Sequence, residues 1–298
     1  MLRGTMISVA LIAVLSAASL AAIVNFPDPG LEAVIREAIG RPSGGIYDYQ
    51  LEDLEILEAS KRGISDLEGL QYYQGIIELD LSANAIANIN ILSHLTELEI
   101  LNLTDNQIVD LRPLSNLSCV RILRLGNNAI VALGPLAALA ETDLQADVLK
   151  ELELDRNKIV DVASLAGIAS LQKLVLGCNQ ILDIAPLAGL TNLASFSLVD
   201  NQIVTIGALA DLIELKILLL YNNQISDISP LSGLEDLLGL WLSGNPIANL
   251  QPLVDNPGLD FGDRIYICGD QLDLNPGSLA AQHIMLLARR GVYVYECL

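Results

Sequence analysis

The sequence predicts an α/β solenoid: a parallel β-sheet on the concave side, 3₁₀ or short helical turns on the convex side, and a distinct cap at each end. Three observations carry this. Asparagine recurs at Asn84, Asn106, Asn128, Asn157, Asn179, Asn201, Asn223 and Asn245, in steps of 22 residues broken by a single step of 29. Each asparagine closes the same phrase, clearest at Leu98-x-x-Leu101-x-Leu103-x-x-Asn106-x-Ile108. Before the first and after the last of these phrases the pattern dissolves into segments of helical periodicity. Self-similarity at such a period means repeats that bury their apolar positions only against neighbouring repeats. Recurring residues are therefore architecture, and function falls to the positions that vary.

Taken in chain order, residues 1–21 carry Arg3, then the apolar run Met6–Leu15, then small residues. That is the anatomy of a secretory signal peptide, with Ser19-Leu20-Ala21 predicting cleavage after Ala21. The alternative is an uncleaved anchor, since Met6–Val24 spans 19 residues, just enough for a bilayer. Residues 22–50 form the N-terminal cap. Asp28-Pro29 supplies an N-cap and a proline at the first helical position, Leu31, Val34, Ile35, Ala38 and Ile39 form one stripe, and Gly40 ends it.

The repeats occupy 51–261. Within Leu98–Asn106, Leu98, Leu101 and Leu103 point inward while Ile100, Asn102 and Thr104 point out, the period-two signature of a short strand buried on one face. The asparagine amide both donates to and accepts from backbone groups of the turn that would otherwise be unpaired. The stretch Ile108-x-Asp110-Leu111-x-Pro113-Leu114 is too short for a full helix and carries proline, which predicts a 3₁₀ turn. The longer step inserts seven residues between Pro135 and Leu149, and Ala137–Glu141 favours helix there. Residues 262–298 hold the last repeat and the C-terminal cap, with a helix over Leu279–Ala288 and a sheet-extending strand over Val292–Tyr295.

The 22-residue phrase with Asp183-Ile184-x-Pro186-Leu187 resembles the leucine-rich repeats of bacterial internalins and related secreted prokaryotic proteins. Phe26-Pro-Asp-Pro-Gly-Leu31 resembles the helical N-terminal cap of that group, Gly63-Ile64-Ser-Asp-Leu67 its degenerate first repeat, and Arg290–Val294 its C-terminal cap. Phosphatase-regulatory leucine-rich-repeat subunits share the period, but they are intracellular and lack such a leader. The resemblance implies a leucine-rich-repeat horseshoe that is secreted or cell-surface bound and recognises a protein, through residues that differ from member to member.

Composition narrows the partner. The chain carries 16 basic and 36 acidic residues, a net −20. Loss of the leader, with its one arginine, makes this −21. Such a surface repels nucleic acid and anionic membranes and suits a cationic partner. The mean hydropathy of +0.48 reflects repeat leucines, and no second stretch of about 20 apolar residues occurs. No membrane insertion is expected after leader cleavage. The array is expected to be a monomer. Of four cysteines, Cys119 and Cys178 sit two repeats apart at different repeat positions, beyond the roughly 7 Å limit for bridging. Cys268 and Cys297 share the C-terminal cap and are the candidate disulfide pair.

Nothing points to an enzyme, a cofactor or a metal. His94 and His283 are the only histidines and lie in separate regions, and no zinc spacing, calcium loop or phosphate-cradling motif is present. The aspartate column Asp110, Asp161, Asp183 and Asp227 reads as turn capping, with a cation ladder as the alternative. Sequons occur at Asn102 and Asn116.

The outward strand columns are the candidate site. One runs Asp80, Asn102, Arg124, Glu153, Val175, Ser197, Leu219, Trp241, Tyr266; its neighbour runs Ser82, Thr104, Gly126, Asp155, Gly177, Val199, Tyr221, Ser243, Cys268. The first half is charged, with Glu151, Glu153 and Asp155 on one strand. The second half is apolar and aromatic, with Val199, Leu219, Tyr221, Trp241 and Tyr266 set in solvent. In a chain of 4% aromatic content that cluster predicts a binding face for an extracellular protein or a glycan. The alternative is a structural or adhesion spacer of the cell surface or surface layer.

Overall fold

A computed structural model describes residues 22–140, 149–268 and 272–296. The leader, most of the insertion and Cys297 lie outside the described residues. At the start, β1 (Ile23–Val24) pairs antiparallel with β2 (Ile46–Tyr47), and α1 (Pro29–Ala38) packs against the first strand of the array. A second sheet of eleven parallel strands follows in strict chain order: β3 (Ile56–Glu58), β4 (Glu78–Asp80), β5 (Ile100–Asn102), β6 (Ile122–Arg124), β7 (Glu151–Glu153), β8 (Lys173–Val175), β9 (Ser195–Ser197), β10 (Ile217–Leu219), β11 (Gly239–Trp241), β12 (Arg264–Ile267) and β13 (Tyr293–Glu296). The last convex turn of the repeats is the short helix α2 (Gln251–Asp255), and the C-terminal cap adds α3 (Leu279–Arg289).

Register is uniform. Leu79, Leu101, Leu123, Leu152, Leu174, Phe196, Leu218, Leu240 and Ile265 pair in one row, and none exceeds 1% exposure. Between strands the chain crosses the convex side in 3₁₀ turns such as Arg112–Asn116, Ala185–Gly189 and Ser229–Gly233, each with proline in the first turn followed by a buried leucine. The insertion-bearing repeat has the longest of the 3₁₀ segments, Gly134–Ala140, so the expected helix is a 3₁₀ one as far as the described residues go.

The asparagines close each repeat onto its neighbour. Asn179 Nδ2 donates to the carbonyls of Leu154 and Leu176 at 3.0 Å and of Gly177 at 3.2 Å, while Oδ1 accepts from Ile159 N–H at 3.0 Å. The same set recurs at Asn157, Asn201 and Asn223. Directly before each asparagine stands a residue in the left-handed region. Ala83, Asp105, Asn127, Arg156, Cys178, Asp200 and Asn222 all hold φ of 50–58°, and only the last of the column, Gly244, is glycine. A Cβ disfavours that conformation by roughly 1–2 kcal/mol, and the asparagine bonds on either side hold the chain in it.

Asp28 fastens the first cap. Its Oδ1 accepts from Gly30 and Leu31 N–H, as an N-cap should, and its Oδ2 reaches Ser65 N–H at 2.8 Å and Asp66 N–H at 3.2 Å in the first repeat. Burial alone would raise this carboxyl, but the four N–H donors outweigh burial and hold it below the ordinary 3.8. A depressed carboxyl stabilises the fold above its unfolded value and loses that contribution as pH falls through the folded one. Asp28→Ala should therefore cost about 1 kcal/mol at pH 7. The deficit should shrink below pH 3.8, which urea titrations of both proteins at pH 7 and pH 3 would show. A deficit unchanged at pH 3 would mean that the ionised carboxylate contributes nothing.

At the other end, the fully buried Asn256 donates to Leu231 and Leu234 carbonyls at 2.9 Å, and Arg290 Nη1 donates to Val254 carbonyl at 2.9 Å. These bonds lock α3 and β13 onto the array.

Candidate functional site

The concave face is the set of outward residues of β3–β13. Its main column pairs Glu58, Asp80, Asn102, Arg124, Glu153, Val175, Ser197, Leu219, Trp241, Tyr266 and Tyr295 across successive strands. The column is acidic at one end and aromatic at the other.

At the aromatic end the rings form a stack. Trp241 and Tyr266 lie 4.9 Å apart between centroids with an 8° interplanar angle, and Tyr266 and Tyr295 lie 4.5 Å apart at 9°. The parallel strand spacing of about 4.8 Å imposes this near-contact distance on any rings that share a column. Gly239 makes room for the first of them: a Cβ there would sit 2.7 Å from Trp241 Cζ3. Trp241 and Tyr266 are consequently half-buried, not fully solvated as the strand alternation suggests, because each ring covers the next, and Leu219 and Tyr221 beside them are half-buried too. Val199 departs further. At 5% exposure it is buried, leaning onto the bare backbone of Gly177, where a Cβ would lie 3.5 Å from its own. It contributes support and almost no contact surface.

The charged centre is internally paired. Lys173 Nζ lies 2.6 Å from Glu153 Oε1 and 3.6 Å from Glu151 Oε2, and Arg124 Nε lies 3.7 Å from the other Glu153 oxygen. The Glu153 hydrogen bond raises the Lys173 ammonium above its ordinary value. Asp155 sits against Gly126, and burial pushes its carboxyl up. Glu151, Glu153 and Asp155 thus do come together, but two of the three face cations of this chain. Beside them a cavity of about 280 Å³ is lined by Glu99, Ile100, Arg121, Ile122, Lys150, Glu151 and Gln172.

The aspartate column caps turns: Asp161, Asp183 and Asp227 each accept from the N–H two residues on, at 2.8–2.9 Å, and Asp110 pairs with Arg112. Among the described residues no group of three or more histidines, cysteines or carboxylates could hold a metal ion, and no helix is long and apolar enough to cross a membrane. His94 Nδ1 meets Ile91 carbonyl at 3.1 Å in an exposed turn, whereas His283 is buried in α3. Cys119 and Cys178 are free; Cys268 is disulfide-bonded, and its expected partner Cys297 is outside the described residues. The Asn102 amide donates to Asp80 at 3.2 Å, so that sequon is engaged within the sheet.

Three residues of this face were not legible as site residues. Tyr295 extends the ring stack from the cap, where the repeat period has ended. Gly239 is detectable only as a missing side chain two positions before Trp241. Lys173 reveals its role only through its pairing with Glu153 on the adjacent strand.

A family model for leucine-rich repeats (two copies) matches residues 191–233 and 213–255. Comparison with curated proteins gives no match. Among solved structures, internalin C2 from Listeria monocytogenes is similar at 34% identity, covering 78% of this chain and 91% of that one, with a TM-score of 0.60. A leucine-rich-repeat protein from Leptospira interrogans is 24% identical over 84% of this chain and 62% of its own, with a TM-score of 0.71. The leucine-rich-repeat ectodomain of a membrane receptor kinase from Arabidopsis thaliana, in complex with Casparian strip integrity factor 2, is 21% identical over 82% of this chain and 30% of its own, with a TM-score of 0.63. The last two bear on the fold alone. With the repeat phrase, the eleven-stranded sheet and the identity to internalin C2 over nearly its whole length, the chain belongs to the internalin-like leucine-rich-repeat proteins.

Proposed function

We propose that the protein is a secreted, non-enzymatic recognition scaffold that binds a protein ligand on its concave face, anchored by Trp241, Tyr266 and Tyr295. The observation that supports this best is the ring stack. Aromatic side chains that are half-exposed on a rigid sheet, with Leu219 and Tyr221 beside them, have the composition of an interaction hot spot. A glycan is the second candidate. A sugar stacks on an open ring face, and here Tyr266 has both faces covered by its neighbours, which favours apolar side chains of a protein meeting the ring edges. The Arabidopsis complex provides a precedent for protein recognition on this fold. The ion-paired strip of Arg124, Glu153 and Lys173 would give the ligand a polar register mark. It adds less affinity than free charges would, because both signs are already satisfied.

The test is a pull-down of extracellular proteins with the intact chain and with Trp241→Ala. A partner retained by the former should lose affinity by about 2 kcal/mol or more with the latter. Equal recovery of every partner would favour the spacer reading. Secretion is tested separately by mass spectrometry of the mature N-terminus, which should begin after Ala21.

A further inference from the structure

The flank of the solenoid carries an apolar row that the fold does not consume. Three residues beyond the repeat asparagine stand Val109, Val131, Val160, Leu182 and Val204, one in each of five successive repeats and each 47–57% exposed. The residue before each is a buried isoleucine, from Ile108 to Ile203, so alternation turns the row outward. Ala129, Lys158, Gln180 and Gln202 donate N–H to the isoleucine carbonyls of the preceding repeat at 2.9 Å. These bonds keep the repeats at sheet distance along the flank. The row therefore advances about 4.8 Å per repeat and runs roughly 19 Å over four steps.

Scattered exposed valines are ordinary, whereas a contiguous apolar row on a soluble protein marks an interaction surface. Extended backbone alone does not account for it, since threonine meets the same preference with a hydroxyl in place of one exposed methyl. The row's spacing selects its occupant. An α-helix advances 5.4 Å per turn, close to the repeat step, so a ridge of one side chain per turn can settle between successive valines. A strand returns to the same face only every ~6.7 Å and falls out of step. The flank beyond the row presents the exposed carboxylates Asp161 and Asp183 on a chain of net −20. A second copy would bring the same charge against them.

We propose that this row docks a cationic amphipathic helix of a partner protein. The helix lays its apolar ridge along Val109–Val204 and its lysines or arginines over Asp161 and Asp183. This site lies off the sheet and is independent of the concave face.

The probe is a labelled amphipathic peptide of about 18 residues, long enough to span the row, with leucines at i, i+3, i+4 and i+7 and lysines elsewhere, read by fluorescence anisotropy at physiological salt. A scrambled peptide of equal composition reports plain charge attraction. The ordered peptide should bind the full chain at least ten-fold more tightly than the scrambled one. Val131→Ser with Val160→Ser and Leu182→Ser should abolish that advantage at an unchanged thermal midpoint. Asp161→Asn with Asp183→Asn, which keeps the turn acceptors, should weaken it as well. Trp241→Ala should leave it intact. Equal binding of the two peptides, no response to the serine variant, or a loss caused by Trp241→Ala would each overturn the proposal.

Discussion

Asn179→Ala should lower the unfolding free energy by about 3 kcal/mol, a large share of what a domain typically possesses. The number follows from which partners are replaceable. The Leu154 carbonyl accepts from both Asn157 and Asn179, and so keeps a donor. Ile159 N–H has Asn179 Oδ1 as its partner and would be left buried without one. One orphaned donor at roughly 1–3 kcal/mol, together with the lost amide donations, sets the figure. Aspartate would be no rescue, because it retains the acceptor but cannot donate to three carbonyls. Chemical denaturation decides the matter. A loss under about 1 kcal/mol would show that water replaces the amide, and that the ladder is a by-product of stacking.

Leu240→Ala and Trp241→Ala, adjacent in sequence, should separate sharply. Leu240 is 0% exposed and faces the interior between Leu218 and Ile265, so its truncation should cost about 2–5 kcal/mol through the cavity it leaves. Trp241 is half-buried by Tyr266 alone on its stacked side, and its loss should cost stability on the order of the stacking term, 0.5–1.5 kcal/mol, with the larger effect on ligand affinity. Equal destabilisation by the two would mean that the tryptophan is a core residue and the ring stack a structural device.

Architecture was legible because each repeat states it independently. The asparagine fixes the phase of the strand, and alternation around it assigns Leu101 inward and Asn102 outward without ambiguity. Eight such statements agree, so the register of the whole sheet follows. The caps were readable by ordinary helix signals, Asp28-Pro29 among them. What the sequence conceals is how outward side chains lean. Whether Val199 stands in solvent depends on the absence of a side chain at Gly177, one repeat earlier. Whether Trp241 stacks depends on Gly239 beneath it and on Tyr266 a strand away. Such relations join residues on one strand or on neighbouring strands through rotamer choice, which periodicity does not encode. Tyr295 escaped for a different reason: the cap continues the sheet after the repeat phrase has stopped, so the column has no textual marker there. The charged strand shows the same limit, since three acids read as an acidic patch until Lys173 and Arg124 are seen to neutralise two of them.

The ring stack also gives the molecule an internal reporter. Trp241 is the chain's only tryptophan and sits within two strands of the end of the sheet. A one-dimensional array whose units touch only their neighbours opens preferentially from its ends. Tryptophan emission therefore follows the C-terminal terminus of the array, while far-ultraviolet dichroism averages over all of it. Two optical signals, recorded on one unmodified sample, thus distinguish fraying at that end from concerted melting, and the coupling of the stacked Trp241 and Tyr266 transitions marks the closed state of the end itself.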